Sequence, residues 1–220
     1  NASCPSLLPV TGDANWSFAF NDAALSTEGV YELSLHVLDA AGNKLATELK
    51  SSFTWDSTGP VIDVGSDLLV SATHNMNSTV TDSSGVASYS WSKQSGAGTI
   101  TFSSATTEDT TISASADAAY VLRLTAVDAL GNSSFADLDF VWDTVAPTVS
   151  VGSDVTADAT YNMSAAVVSD VNGLASYTWS KQSGAGSISF SAPNAKDTSI
   201  TANSNEAYVL RLTVTDNAGN

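Results

Sequence analysis

The sequence predicts an all-β protein built of tandem β-sandwich repeats of about 88 residues. Three observations carry that prediction: the chain matches itself at a fixed offset, its apolar residues alternate with period two, and no window sustains the 3.6-residue period of a helix. The offset is the most informative. Trp55-Asp56-Ser57-Thr58-Gly59-Pro60 returns 87 residues later as Trp142-Asp143-Thr144-Val145-Ala146-Pro147, and Gly65-Ser66-Asp67 returns as Gly152-Ser153-Asp154. Tyr89-Ser90-Trp91-Ser92-Lys93-Gln94-Ser95-Gly96-Ala97-Gly98 returns at 88 as residues 177–186, and Tyr120 to Thr125 returns unchanged as Tyr208 to Thr213. One residue has therefore been inserted between Asn77 and Asp82.

In chain order, the first copy is weak and partial. Gly29-Val30-Tyr31-Glu32-Leu33-Ser34-Leu35 followed by Asp39-Ala40-Ala41-Gly42-Asn43 matches the stretch that opens at Tyr120 and closes at Asp128-Ala129-Leu130-Gly131-Asn132, with the front half missing. The expected domains are a partial one over 1–56, a full sandwich over 57–143, and a sandwich over 144–220 that lacks its last strand. That last copy reaches Asp216-Asn217-Ala218-Gly219-Asn220 before any counterpart of Phe135 to Trp142, so the chain reads as a slice through a longer array.

Within the second copy, residues 120–127 alternate strictly. Tyr120, Leu122, Leu124 and Ala126 belong on one face, and Val121, Arg123, Thr125 and Val127 on the other, which is a half-buried strand. Ser88 to Lys93, Thr99 to Ser103 and Ala136 to Trp142 read the same way between Gly, Ser, Asn and Asp clusters. About seven short strands, a tryptophan in the third and a tyrosine opening the sixth, form the pattern of an immunoglobulin-like sandwich. Trp91 and Trp179 then become inter-sheet core residues, Tyr120 and Tyr208 become tyrosine corners, and Leu122 and Leu210 stand where antibody domains carry cysteine. All four aromatics are expected to be buried.

Composition narrows the function. Seven Lys plus Arg against 23 Asp plus Glu leave a formal charge of −16, which repels nucleic acid and anionic lipid. The polar surface is hydroxyl instead of charged, with 35 Ser and 24 Thr. No apolar run is long enough to cross a membrane as a helix. A lone cysteine, Cys4, excludes an internal disulfide; it is read as an incidental thiol, with a lipid-anchored end as the alternative because Asn1-Ala2-Ser3-Cys4 has the small residues of a lipobox without its leucine.

The run Tyr-x-Trp-Ser-Lys-Gln-Ser-Gly-Ala-Gly, then Ala-Tyr-Val-Leu-Arg-Leu-Thr-x-x-Asp-x-x-Gly-Asn, then Trp-Asp-Thr-x-x-Pro resembles the PKD and REJ-like subgroup of bacterial immunoglobulin-like repeats, over nearly the whole chain. The resemblance implies a module of a large secreted or surface-displayed bacterial protein, as an adhesin stalk or as an accessory module of a secreted hydrolase. The Trp-x-Phe-Gly-Asp-Gly variant of the motif is absent, which counts against the accessory role.

No catalytic chemistry is expected. His36 and His74 have no nucleophile context, and Ser95-Gly96-Ala97-Gly98 precedes a strand, not a helix. The acids are more informative because they recur at strand ends. At the entry end of the second copy stand Asp56, Asp82, Asp128 and Asn132, and at that of the third stand Asp143, Asp170, Asp216 and Asn220. Carboxylates gathered with few lysines nearby call for a divalent counterion, and calcium suits them because it accepts six to eight oxygens at loose geometry. The competing reading is that Asp128-x-x-Gly131-Asn132 is a hairpin turn alone.

Lys93 and Lys181 share the parity of Trp91 and Trp179. They are expected at solvated strand ends, with an isopeptide cross-link as the alternative. The leading function is a non-catalytic structural or adhesive stalk whose partners are neighbouring repeats, a homo-oligomer or fibre, and an unassigned surface receptor or glycan. The alternatives are a carbohydrate-binding role, for which Trp16, Phe18 and Phe20 are the candidate aromatics, and a filament joined by strand exchange.

Overall fold

A computed structural model describes residues 27–35, 41–44 and 49–220, and all of its regular secondary structure is strand. The chain forms two compact units, residues 1–58 and Gly59–Asn220. Cys4, Trp16, Phe18, Phe20 and His36 lie outside the described residues.

In the first unit β1 (Gly29–Leu35) and β2 (Leu49–Trp55) form an antiparallel hairpin with Gly29 opposite Trp55 and Tyr31 opposite Phe53. The two rings stack with centroids 5.6 Å apart. On the same pair of strands Lys50 Nζ lies 2.8 Å from Glu32 Oε1.

In the second unit, the second copy supplies β3 (Val61–Asp63), β4 (Leu68–Val70), β5 (His74–Asn75), β6 (Thr79–Thr81), β7 (Val86–Ser95), β8 (Ile100–Phe102), β9 (Thr111–Ala114), β10 (Ala118–Asp128) and β11 (Ser133–Trp142). One sheet has the order β4-β11-β10-β7, and the other layer consists of β3-β6 and β5-β9-β8. The segments number nine instead of about seven because the opening strand breaks into β3 and β4 and the next into β5 and β6, each half pairing in a different sheet. Gly65, at φ +81°, turns the chain while the Asp63 carboxylate accepts its amide at 2.8 Å. Before the break β3 runs antiparallel to β6; after it β4 runs parallel to β11 in the opposite sheet. Trp91 thus sits in the fifth segment of the copy, and Tyr120 two residues inside its strand instead of opening it.

β10 alternates as its sequence requires: Tyr120, Leu122, Leu124 and Ala126 are buried and their neighbours half-buried. They join Val64, Met76, Val80, Trp91, Ile112, Leu138 and Phe140 in one core drawn from both layers. The Trp91 indole donates to the Glu108 carbonyl at 3.1 Å, and the Tyr120 hydroxyl closes the expected corner on the Ala116 carbonyl at 2.7 Å. Glycine is obligatory at 96, which has φ +111° and where a Cβ would stand 2.4 Å from the Tyr120 ring.

The third copy supplies β12 (Thr148–Ser150), β13 (Tyr161–Met163), β14 (Val167–Ser169), β15 (Leu174–Ser183), β16 (Ile188–Phe190), β17 (Thr198–Ala202) and β18 (Val209–Asp216). Its pairings repeat those above as β12-β14, β13-β17-β16 and β15-β18. Trp179 is buried and donates to the Lys196 carbonyl at 3.2 Å, and the Tyr208 hydroxyl meets the Ser204 carbonyl at 3.0 Å. Tyr208 itself is only half-buried, contrary to expectation. In the second copy Phe140 on β11 covers Tyr120, with centroids 5.9 Å apart, whereas among the described residues β18 pairs with β15 alone.

Lys93 is exposed as expected, and Lys181 is half-buried. The register of β10 against β7 shifts between Lys93 and Ser95, and that of β18 against β15 between Lys181 and Ser183. Each bulge swings its lysine over the glycine loop, where Lys93 Nζ donates to the Gly96 and Gly98 carbonyls at 2.9 and 2.6 Å. Lys181 does the same with Gly184 and Gly186. Both amines are held by backbone carbonyls, which accounts for them without an isopeptide bond.

Trp91→Ala is expected to cost about 3–5 kcal/mol, as for truncation of other buried tryptophans. Chemical denaturation followed by far-ultraviolet circular dichroism measures it, and a loss below 1 kcal/mol would remove Trp91 from the core.

Candidate metal centre

The site begins with the turn that ends β10. Asp128 is almost fully buried, and its Oδ1 accepts the amides of Leu130 and Asn132 at 2.8 and 2.9 Å, while Oδ2 accepts the Asn132 side-chain amide at 2.8 Å. Gly131, at φ +96°, closes the loop. Asp216 repeats this with the amides of Ala218 and Asn220, both at 2.9 Å, and the Asn220 side chain at 3.0 Å. Burial alone would push both carboxyls up. The donated hydrogen bonds, led by Asn132 and Asn220, outweigh it and hold both below the ordinary carboxylate value. Both motifs form hydrogen-bonded turns, and each asparagine acts as a donor to its aspartate.

In the third copy the structure also brings the other acids to this turn. One carboxylate oxygen each from Asp143, Asp170 and Asp216 lies within 4.8 Å of the other two. Asp143, in the stretch joining the copies, is almost fully buried; it accepts the Val145 amide at 3.1 Å and the Asn172 side-chain amide at 2.8 Å. Asp170 is half-buried and accepts the Asn172 amide at 2.8 Å. Asn220 also reaches the Asp143 carbonyl at 2.8 Å, and Asn217 ties the two loops together through the Asn172 carbonyl at 2.8 Å. Three carboxylates and adjacent carbonyls are the donor set of a hard divalent cation.

In the second copy Asp82 accepts the Ser84 amide and hydroxyl at 2.8 and 2.7 Å, and one of its oxygens lies within 4.8 Å of Asp128. Their loops are joined by the Ala129 amide on the Gly85 carbonyl at 2.9 Å. Asp56 belongs to the first unit, where it accepts the Thr58 amide at 3.2 Å. His74 lies on β5 opposite Ile112.

Two features escaped the sequence reading. Asn172 links Asp143 to Asp170, and its signal was the Asp-x-Asn spacing. The second is an acid three residues before the strand tyrosine, Glu28 before Tyr31 and Asp117 before Tyr120. Asp117 Oδ1 accepts the Thr144 amide at 2.8 Å and its hydroxyl at 3.0 Å; Glu28 Oε1 accepts the Ser57 amide at 3.1 Å and its hydroxyl at 3.0 Å. The Ser57 amide leads the contacts that lower the Glu28 carboxyl.

Residues 64–140 and 151–220 match the family described as "K319L-like, PKD domain", and residues 7–57 match "Bacterial Ig-like domain". The first match covers about two thirds of the chain, and the chain belongs to that family of immunoglobulin-like modules. Both descriptions are of immunoglobulin-like modules. No curated protein matches. Among solved structures the D00-D0 domain of intimin is similar at 17% identity and a TM-score of 0.33, covering 70% of this chain and 98% of that one.

Because Asp128 and Asp216 have depressed folded-state values, they add stability that is present above the unfolded carboxylate value, about pH 4, and lost as pH falls through the folded one. Melting temperature measured from pH 7 to pH 2 should fall below about pH 4, and Asp128→Asn should flatten that fall. An unchanged acid limb in the variant would assign the loss to other carboxyls.

Proposed function

We propose that the chain is part of an extracellular stalk of a bacterial surface or secreted protein, in which successive sandwiches are held at a fixed angle and calcium adds to that hold. The supporting observation is the joint between the second and third copies. Two adjacent residues are tied in opposite directions: the Thr144 amide and hydroxyl to Asp117 of the second copy, and Asp143 to Asn172 and Asn220 of the third. A joint bonded on both sides resists bending without a large interface. A stalk needs this more than it needs a ligand pocket.

A calcium ion among Asp143, Asp170 and Asp216 would add a third tie and offset the mutual repulsion of three carboxylates. Asp82 and Asp128 are the corresponding residues one copy earlier. The partners are neighbouring repeats and a tip or receptor elsewhere. Among the described residues no helix is long and apolar enough to cross a membrane.

A cation that binds only the folded state stabilises by RT ln(1 + [Ca]/Kd), about 2.7 kcal/mol at a hundredfold excess. Melting temperature should rise in calcium relative to chelator, and Asp170→Ala should abolish the rise with little change in chelator, since Asp170 gives up one hydrogen bond to its own turn. Equal melting temperatures in calcium and chelator would remove calcium from the proposal. The stalk reading is tested separately by small-angle scattering of wild type and Asp117→Ala, where a broader size distribution in the variant is expected and an unchanged one counts against the joint.

A further inference from the structure

The dipeptide Asn-Gly occurs once in the chain, at Asn172-Gly173 in the turn before β15. Two separate demands place it there. Gly173 has φ +89°, a left-handed conformation that side chains disfavour, and a Cβ on it would stand 2.6 Å from the Asn217 side-chain nitrogen. Asn172 supplies the side-chain amide that reaches Asp143, at 2.8 Å, in the stretch joining the second and third copies. The second copy meets the first demand with Gly85, at φ +88°, but carries Ser84 before it, whose hydroxyl stays in its own turn on Asp82 at 2.7 Å.

Asn-Gly is the least hindered setting for attack of a backbone nitrogen on the preceding asparagine side chain, because glycine has no Cβ to block the approach. The Gly85 amide donates to the Asp82 carbonyl at 3.3 Å, whereas among the described residues no oxygen accepts the Gly173 amide. Val171, on the other side of Asn172, is 98% exposed, so water reaches the turn. The joint holds the reaction back. Asn172 donates its side-chain amide to Asp143 and its backbone amide to Asp170, and its carbonyl accepts the Asn217 side chain, each at 2.8 Å. Ring closure requires the side chain to leave Asp143 and turn back on its own backbone.

We propose that Asn172 is a self-modification site gated by the joint between the second and third copies: opening of the joint releases its side chain, and deamidation then keeps the joint from closing as before. The Gly173 nitrogen, having lost its proton to base, bonds to Asn172 Cγ, and the side-chain nitrogen leaves as ammonia. The resulting five-membered imide takes up one water at either carbonyl, which yields aspartate or isoaspartate at 172. Water enters, ammonia leaves, and neither an oxidant nor an enzyme is required. The product places a fourth carboxylate beside Asp143, Asp170 and Asp216, so a hydrogen bond across the joint becomes a like-charge contact. In the isoaspartate the main chain also lengthens by one carbon, which distorts the turn that Gly173 closes. The inference rests on the geometry of the joint and stands whether or not calcium binds.

The test incubates the whole 220-residue chain at mildly alkaline pH, in chelator to keep calcium out of the result, and reads residue 172 by peptide mapping with mass spectrometry. Conversion is expected at Asn172 ahead of every other asparagine, yet at least about tenfold slower than in a synthetic peptide of residues 168–177, the protection given by a closed joint. Asp143→Ala should speed conversion at least about threefold, the scale of one lost hydrogen bond. Asp117→Ala, which loosens the joint from the side of the second copy, should speed it as well, and it decides the matter if circular dichroism shows Asp143→Ala unfolded. Asn172→Asp, the product itself, should broaden the size distribution in small-angle scattering. Three results would overturn the proposal: conversion as fast as in the peptide, an Asn172 that stays intact while the peptide converts fully, or a rate that neither joint variant raises. So would an Asn172→Asp chain whose scattering matches that of the wild type.

Discussion

A strand whose side chains fill a core can be stable only if the backbone on both of its edges is also satisfied, and β10 meets that condition. With β7 on one side and β11 on the other, it holds Tyr120, Leu122, Leu124 and Ala126 against the opposite layer. From this follow the cover of Phe140 over Tyr120, the parallel attachment of β4 and the burial of Val64. β18 (with Tyr208 just before it) has the same leucines and arginine, but among the described residues it has one neighbour, β15, and Tyr208, Leu210 and Val151 are less buried than their counterparts. Identical local sequence thus gives different burial, because burial belongs to the sheet and not to the strand.

The ends of the sandwich obey a different logic. Asp128 and Asp216 are buried acids in a chain with few cations, a placement that would be costly if the carboxylates were bare. They are tolerated because a five-residue turn delivers two backbone amides and an asparagine side chain to each. The same turn then serves the joint between copies, since Asn220 reaches onward to the Asp143 carbonyl. Turn formation and inter-repeat attachment are one hydrogen-bond network, so a cation there would reinforce an existing arrangement instead of creating it.

Much of this was legible in the chain. Period two located β7, β10 and β11 and the faces of their side chains, and the 87- and 88-residue offsets located the copies, because both signals are local or exactly repeated patterns of residue type. The number of strand segments was not legible: the switch at Gly65 depends on which sheet Leu68 to Val70 joins, a long-range choice. Tyr208 was misjudged for the same reason, since its cover comes from another strand. The acids of the third copy were found as a set, but Asn172 was not, because its partner Asp143 lies 29 residues earlier, in the stretch joining the copies. Asp117 was missed because its partner lies 27 residues on, across the joint.

The near identity of the copies has a kinetic side. β7 and β15 share the run Tyr-x-Trp-Ser-Lys-Gln-Ser, and β10 and β18 share Val-Leu-Arg-Leu-Thr, so β10 can zip against β15 and β18 against β7 with most native side-chain pairs preserved. Such cross-pairing is a characteristic trap of repeat arrays refolding from denaturant. Synthesis from the N-terminus avoids it, because the second copy can close its core before β15 exists. The short loop carrying Lys93 over Gly96 and Gly98 favours the same outcome, keeping each hairpin's own segments close while the next copy is still being made.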